Sequence, residues 1–219
     1  MTYSEALKKG YKPLAKPILF NGEMVRAILD GRKTQTRRIV KTRHKNAAGF
    51  NVMSNRSGKI VGIIEYDEDE RDYDNYMKPP FRSGDILYVR ETWGIWSPTY
   101  GTMPRIYYRA DNDAPEETEW RPSIHMPKEL ARIFLRIKDA HVERLLDMSA
   151  DDALAEGIIQ DGLVTEQGII EYRVWNEMRE LWDSTIKPAD RERYGWDANP
   201  WVWVIEFERI NESEANYEN

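Results

Sequence analysis

The segment Leu29–Val40, LDGRKTQTRRIV, sets Arg32, Lys33, Arg37 and Arg38 beside Thr34 and Thr36, directly after Asp30 and Gly31. Those groups suit two kinds of chemistry. Guanidinium forks and an ammonium hold anions, phosphate above all. A hydroxyl with a basic group at hand can also act as a nucleophile. The plainer alternative is that the threonines line a strand, where β-branched residues are common, and that the cations pair with acidic surface elsewhere in the fold.

The surrounding charge sharpens the question. The chain carries a net charge of −6, yet residues 1–45 hold twelve Lys/Arg against three Asp/Glu. Such asymmetry suggests that one end faces an anion. Other reactive constellations are missing. There is no cysteine, which excludes disulfides, thiolate catalysis and Cys-ligated zinc. No G-x-S-x-G, G-x-x-x-x-G-K-[ST] or G-x-G-x-x-G occurs, which speaks against a nucleophile-elbow hydrolase, a P-loop enzyme and a Rossmann enzyme. His44, His125 and His141 lack metal-ligand spacing and are expected on surface or loop positions. The acidic run YDEDERDYD lacks the glycine and fixed spacing of a calcium loop and is expected to be solvated. No metal and no cofactor is expected.

With 219 residues, 41% hydrophobic and 32% charged, the composition is that of a soluble globular protein, one large domain or one with sizeable insertions. Eight Trp and twelve Tyr fill a core or offer stacking platforms for bases. The amino-terminal segment is polar and basic and does not resemble a secretory signal. No apolar run approaches the roughly 18 residues of a membrane span. A cytoplasmic location without membrane contact is expected.

The elements that must carry the cationic run follow from periodicity. KPILF reads as a strand and NGEMVRAIL as a helix, with Asn21 as N-cap, Glu23 in the first turn, and Met24, Ile28 and either Val25 or Leu29 on the apolar side. Gly31 sits where a helix-ending glycine belongs, and TQTRRIV reads as a strand. Residues 42–58 are expected as a loop or hairpin arm, 59–66 as a strand and 67–80 as an exposed loop. Residues 84–93 make a turn and strand, 94–105 a loop, 105–111 a strand and 112–127 a Pro-rich loop. A long strand bending near Asp139 spans 131–145. Ser149 and Asp152 form a capping box for a helix over 149–158. Val174, Met178, Leu181 and Trp182 mark an amphipathic helix over 169–184. A closing strand over 200–210 puts Val202 and Val204 on one face, and Trp201, Trp203, Ile205 and Phe207 on the other. The class is α+β, barrel-like, with five to six strands and two or three flanking helices.

Four ordered blocks carry a family resemblance. ILDGRKTQTRRI, FRSGDILYVRETW, MSADDALAEGI and WVWVIEFERI resemble, in this order, the ASCH family, a branch of the PUA-like β-barrels. VRETW and WRPSIHMP also resemble longer members encoded by phages and prophages. The resemblance implies a PUA-like barrel over residues 17–210, with insertions at about 42–80, 94–125 and 159–199. A basic extension (1–16) precedes it and an acidic tail (211–219) follows.

Small bacterial members of that family hydrolyse the amide of N4-acetylcytidine to cytidine and acetate. The resemblance therefore implies a catalytic set of Lys33, Thr36 and Glu156. It suggests substrate contacts from Arg32, Arg37 and Arg38, from Arg90, Glu91 and Trp93 in the second block, and from Trp120 at the start of WRPSIHMP. The partner would be a modified nucleoside or RNA, and the insertions suggest a substrate larger than a nucleoside. Two other functions remain: an RNA-binding module or ribonuclease of phage or prophage origin, and a phage-encoded protein that blocks a host factor.

Physical chemistry sets two conditions on the hydrolase. A lysine with its ordinary pKa of about 10.4 is a poor base at neutral pH; burial or cationic neighbours must depress it, while Glu156 and a helix carboxyl end favour the ammonium. A charged Lys33 would instead serve an oxyanion. Residues three apart on a regular strand point to opposite faces. Lys33 and Thr36 therefore converge only if Lys33 precedes the strand or a bulge intervenes.

Overall fold

The computed structural model describes residues 15–41, 43–44, 47–56, 60–97, 104–158 and 167–216. Most of the basic extension, parts of the three insertions and the end of the acidic tail lie outside the described residues. In chain order the strands are β1 (Lys16–Leu19), β2 (Gln35–Ile39), β3 (Gly49–Ser54), β4 (Ile60–Tyr66), β5 (Ile86–Arg90), β6 (Trp93–Trp96), β7 (Arg105–Tyr108), β8 (Glu119–Arg121), β9 (Phe134–Arg144) and β10 (Trp201–Ile210). The helices are α1 (Gly22–Leu29), α2 (Ala150–Ala155), α3 (Gln167–Thr185), α4 (Arg191–Tyr194) and α5 (Glu212–Asn216). The fold is mixed α+β. A five-stranded sheet has the order β1-β5-β9-β10-β2, and two smaller sheets are β3-β4 and β7-β6-β8. Among the described residues no helix is long and apolar enough to cross a membrane.

The chain divides into two compact units. The first comprises the described parts of Met1–Thr34, Ser83–Ile137 and Phe207–Asn219. Here Asn21 caps α1 by accepting the Met24 N–H at 2.9 Å. Val25, Ala27 and Ile28 are the buried side of the helix; Val25 and Ile28 belong to the expected stripe, while Met24 is only partly buried. Gly31 takes φ +76° just past the end, a left-handed turn that glycine adopts without a Cβ penalty. That turn lets the Arg32 and Lys33 N–H groups both reach the Ala27 carbonyl, at 2.9 and 3.0 Å. β1 runs parallel to β5 and β5 antiparallel to β9. Ile86, Tyr88, Trp93, Met126 and Phe134 are prominent in the core beneath them.

Two segments expected as loops contain strands. β6 pairs with both β7 and β8. The signal was hidden because these strands are three or four residues long and bounded by proline. Pro115 and Pro122 flank β8 without interrupting it. Gly94 is needed within β6, because a Cβ there would meet the Thr118 side chain at 2.5 Å and the Glu119 carbonyl at 3.0 Å.

The second unit comprises the described parts of Gln35–Arg82 and Lys138–Glu206. β2 pairs antiparallel with β10, Thr36 opposite Ile205 and Arg37 opposite Val204. The expected capping box of α2 forms, with the Ser149 side chain accepting from the Asp152 N–H and the Asp152 carboxylate accepting from the Ser149 N–H. Val174, Met178 and Trp182 of α3 pack with Val202 and Val204, and Leu181 is only partly buried. The region expected as a loop or hairpin arm over 42–58 contains β3, which pairs antiparallel with β4 as such an arm would. At Gly49 a side chain would collide with the Tyr66 ring, so the glycine admits the aromatic cover. His44, expected on a surface or loop position, lies in a bend and is held there by Glu65: Nδ1 lies 2.6 Å from Oε2. Its ring stacks on Tyr73 at 3.9 Å.

Candidate functional site

Lys33 lies between α1 and β2 rather than within the strand. The side chain is almost wholly buried, with 2% exposure. Its Nζ lies 5.6 Å from the centre of the Phe20 ring, and Phe20 packs in turn on Phe207. An amine in such surroundings has lost much of its water, which disfavours the charged form.

Thr36 stands on β2 with 1% exposure. Alternation puts Gln35 and Arg37 on one face of β2, and Thr36 and Arg38 on the other. Arg37 is enclosed by carboxylates. Its Nε and Nη2 donate to Glu143 Oε1 at 3.0 and 2.8 Å, and its Nη1 donates to Glu156 Oε1 at 3.2 Å. Nη1 also donates to Gln35 Oε1 at 3.1 Å, and the Gln35 amide donates to Asp152 Oδ1 at 2.8 Å. The Arg37 side chain has no exposed surface, so its fork holds protein carboxylates instead of facing an open phosphate site.

Glu156 is the C-cap of α2, and its N–H donates back to the Asp152 and Ala153 carbonyls. Gly157 follows with φ +95°, which ends the helix and leaves the Glu156 carboxylate beside Arg37. The same carboxylate acts on Arg38: burial lowers the Arg38 pKa below its ordinary value, and the charge of Glu156 opposes that fall. A carboxylate that addresses guanidiniums on both faces of β2 fits that strand's place at the end of the sheet. Burial tends to raise the Asp152 pKa, but hydrogen bonds from Ser149 and Gln35, with the charge of Arg37, draw it below the usual aspartate value.

The remaining expected contacts fall in the first unit. Arg32 is partly exposed and pairs with Asp30 at 3.0 Å. Arg90 donates to Tyr88 Oη at 3.1 Å and to the Ile124 carbonyl at 3.2 Å. Glu91 is 1% exposed and accepts a two-pronged clasp from Arg132, Nε to Oε1 at 2.9 Å and Nη2 to Oε2 at 3.0 Å. Burial raises the Glu91 pKa, and Arg132 restrains the rise. Asp111 accepts from the same guanidinium at 2.7 and 2.8 Å, and the cation lies 4.0 Å from the Tyr108 ring centre. Trp93 is covered by Arg121 at 5.1 Å and Trp120 by Arg109 at 5.4 Å. Glu91 borders a cleft of about 320 Å³ together with Asn21, Arg26, Thr92, Arg109 and Asn112; Arg90, Trp93 and Trp120 are not among its walls.

The structure thus joins Arg37 to Glu156 within one unit, and places Arg32, Lys33, Arg90, Glu91, Trp93 and Trp120 in the other. Sequence reasoning did not single out Arg132 or Glu143, the two residues that hold Glu91 and Arg37. Glu143 stands on β9, where a charged residue recurs on a strand otherwise rich in apolar residues; Arg132 precedes that strand.

No family model matches the chain, and no curated protein matches it. Among solved structures, the chain is similar to the crystal structure of protein EF3133 from Enterococcus faecalis V583, described with the family model DUF984. The identity is 10% and the TM-score 0.35, over 95% of this chain and 88% of that one. A likeness at that level carries no assignment.

Proposed function

We propose that the protein is an amidohydrolase of the ASCH, PUA-like type that removes the N4-acyl group of acetylcytidine or a related modified nucleoside, with Lys33, Thr36 and Glu156 as its catalytic set. One observation carries this reading. Among the described residues only eight polar or charged side chains are buried, and Lys33, Thr36 and Glu156 are three of them, at 2%, 1% and 4% exposure. Burying an amine, a hydroxyl and a carboxylate is costly, and the family motif selects these same positions.

Each group has a defined part. Lys33, as the neutral amine, takes the proton of the Thr36 hydroxyl as Oγ1 adds to the acyl carbonyl. The tetrahedral adduct collapses by breaking the C–N bond. The departing N4 takes a proton, with Glu156 handling its transfer, and cytidine leaves. Water then cleaves the threonine ester to give acetate and restore the hydroxyl. Arg37 is a positioning residue: it aims Glu156 and makes no contact with substrate. Incubating the purified chain with N4-acetylcytidine and following cytidine by chromatography tests the proposal, since no cytidine above the Thr36→Ala background would refute it.

A second reading has its own observation. On the sheet β7-β6-β8 the half-buried Trp120 lies under the exposed Arg109, whereas Trp93 is a core residue. Rings and guanidiniums of this kind stack on unpaired bases. An RNA-binding module would show affinity that falls steeply with salt; a filter titration without salt-sensitive retention would remove it.

A further inference from the structure

We infer that Asp139, His141 and Glu206 form a binding site for one first-row divalent cation, of the Zn²⁺ or Mn²⁺ kind. Alternation sets Asp139, His141 and Glu143 on one face of β9. Glu206 arrives from β10, and one donor atom from each of Asp139, His141 and Glu206 lies within 4.8 Å of the others. His141 Nδ1 is 3.1 Å from Asp139 Oδ2. That matches the spacing between adjacent ligands on a cation with bonds of about 2.0–2.2 Å. Glu206 is half-buried.

The outer surroundings point the same way. The other ring nitrogen of His141, Nε2, faces Glu143 Oε2 at 3.8 Å, while Arg37 holds Glu143 by its Oε1. A metal-bound imidazole usually turns its second N–H toward a carboxylate, which fixes both tautomer and ring plane. Arg37, by locking Glu143, supplies that fixed carboxylate.

The donor set selects the ion. Two carboxylates and a neutral imidazole balance a divalent charge. The nitrogen ligand shifts preference from Mg²⁺ and Ca²⁺ toward first-row transition ions and zinc. Three protein ligands on partly exposed residues leave coordination positions for water or substrate. None of the three groups takes part in the proposed hydrolysis, so the site stands or falls without it.

Calorimetric titration of tag-free, chelator-stripped protein with ZnCl₂ and with MnCl₂ tests the site, with His141→Ala and Glu206→Gln titrated beside it and circular dichroism confirming their folds. One ion per chain is expected, with the dissociation constant raised at least about tenfold in each variant. Absence of saturable binding by the parent chain overturns the proposal. Unchanged binding in the folded variants also overturns it, and would place the ion elsewhere, for instance on the acidic turn around Asp67–Asp74. Should His141→Ala not fold, Glu206→Gln alone decides between these outcomes.

Discussion

Arg37 and Glu156 meet at 3.2 Å, and the arginine that makes this contact has no solvent-exposed side-chain surface. Its remaining donors go to Glu143 and Gln35. A guanidinium so enclosed is the neutralising centre for a set of carboxylates that would otherwise repel one another. Arg37→Met should therefore strip Glu143 and Glu156 of their shared cation and lower the unfolding free energy by about 3–5 kcal/mol. Arg37→Lys keeps the charge but loses the fork, so its urea midpoint should fall between those of the parent and the methionine variant. Equal midpoints for all three proteins would show that the network adds nothing to stability.

Glu91 depends on Arg132 in a comparable way, although Arg132 keeps 26% of its side chain in solvent. Removing the cation in Arg132→Ala should cost about 2–4 kcal/mol, less than a fully buried pair because water screens part of the interaction. The double variant Arg132→Ala with Glu91→Gln should recover part of that loss, because no buried charge is then stranded. A denaturation cycle over the four proteins measures the coupling, and strictly additive losses would contradict it.

The two perturbed carboxyls give opposite pH dependences. Asp152 is depressed below its ordinary 3.8, so its stabilisation is present above that value and lost as pH falls through the lower folded value. Glu91 is raised above its ordinary 4.5; the folded state then holds its proton more tightly. Its contribution is present below 4.5 and lost as pH rises through the raised value. Thermal melts from pH 3 to 7 should show the advantage of the parent over Asp152→Asn shrinking on acidification. The comparison with Glu91→Gln should run the other way. The same slope for both would contradict these assignments.

Gly31 links α1 to the segment bearing Lys33. A Cβ built there meets nothing within 4 Å, so the cost of Gly31→Ala is that of the left-handed backbone alone, about 1 kcal/mol. A lowered melting temperature together with slower acyl hydrolysis is expected, because the same turn sets where Lys33 leaves the helix. An unchanged melting temperature would mean that the turn relaxes freely.

The elements around this turn were legible because each is written locally. Asn21 and the Ser149–Asp152 box are side-chain-to-backbone caps and Gly31 is a left-handed backbone turn, each spanning at most three or four residues, and the long β10 and α3 repeat a clear period. The strands β6 and β8 were not legible. They owe their pairing to Trp93, Tyr108 and Arg121 meeting across turns, and nothing in a three-residue stretch announces that partner. The role of Arg37 was hidden for the same reason: Glu143 and Glu156 lie 106 and 119 residues away. A sequence shows a cationic run at Arg37 and Arg38 but not which of the two is turned into carboxylates. The burial of Lys33, an unusual fate for a lysine, was left open by the sequence between a depressed and a retained charge.

The account rests most directly on the fate of N4-acetylcytidine with the parent chain and with Lys33→Ala, assayed side by side by release of cytidine. The parent should yield cytidine and acetate in equal amounts. Lys33→Ala, shown by circular dichroism to be folded, should be slower by about a hundredfold or more, the scale of a lost proton-transfer group. Equal rates for the two proteins, or no cytidine from either, would contradict the hydrolase.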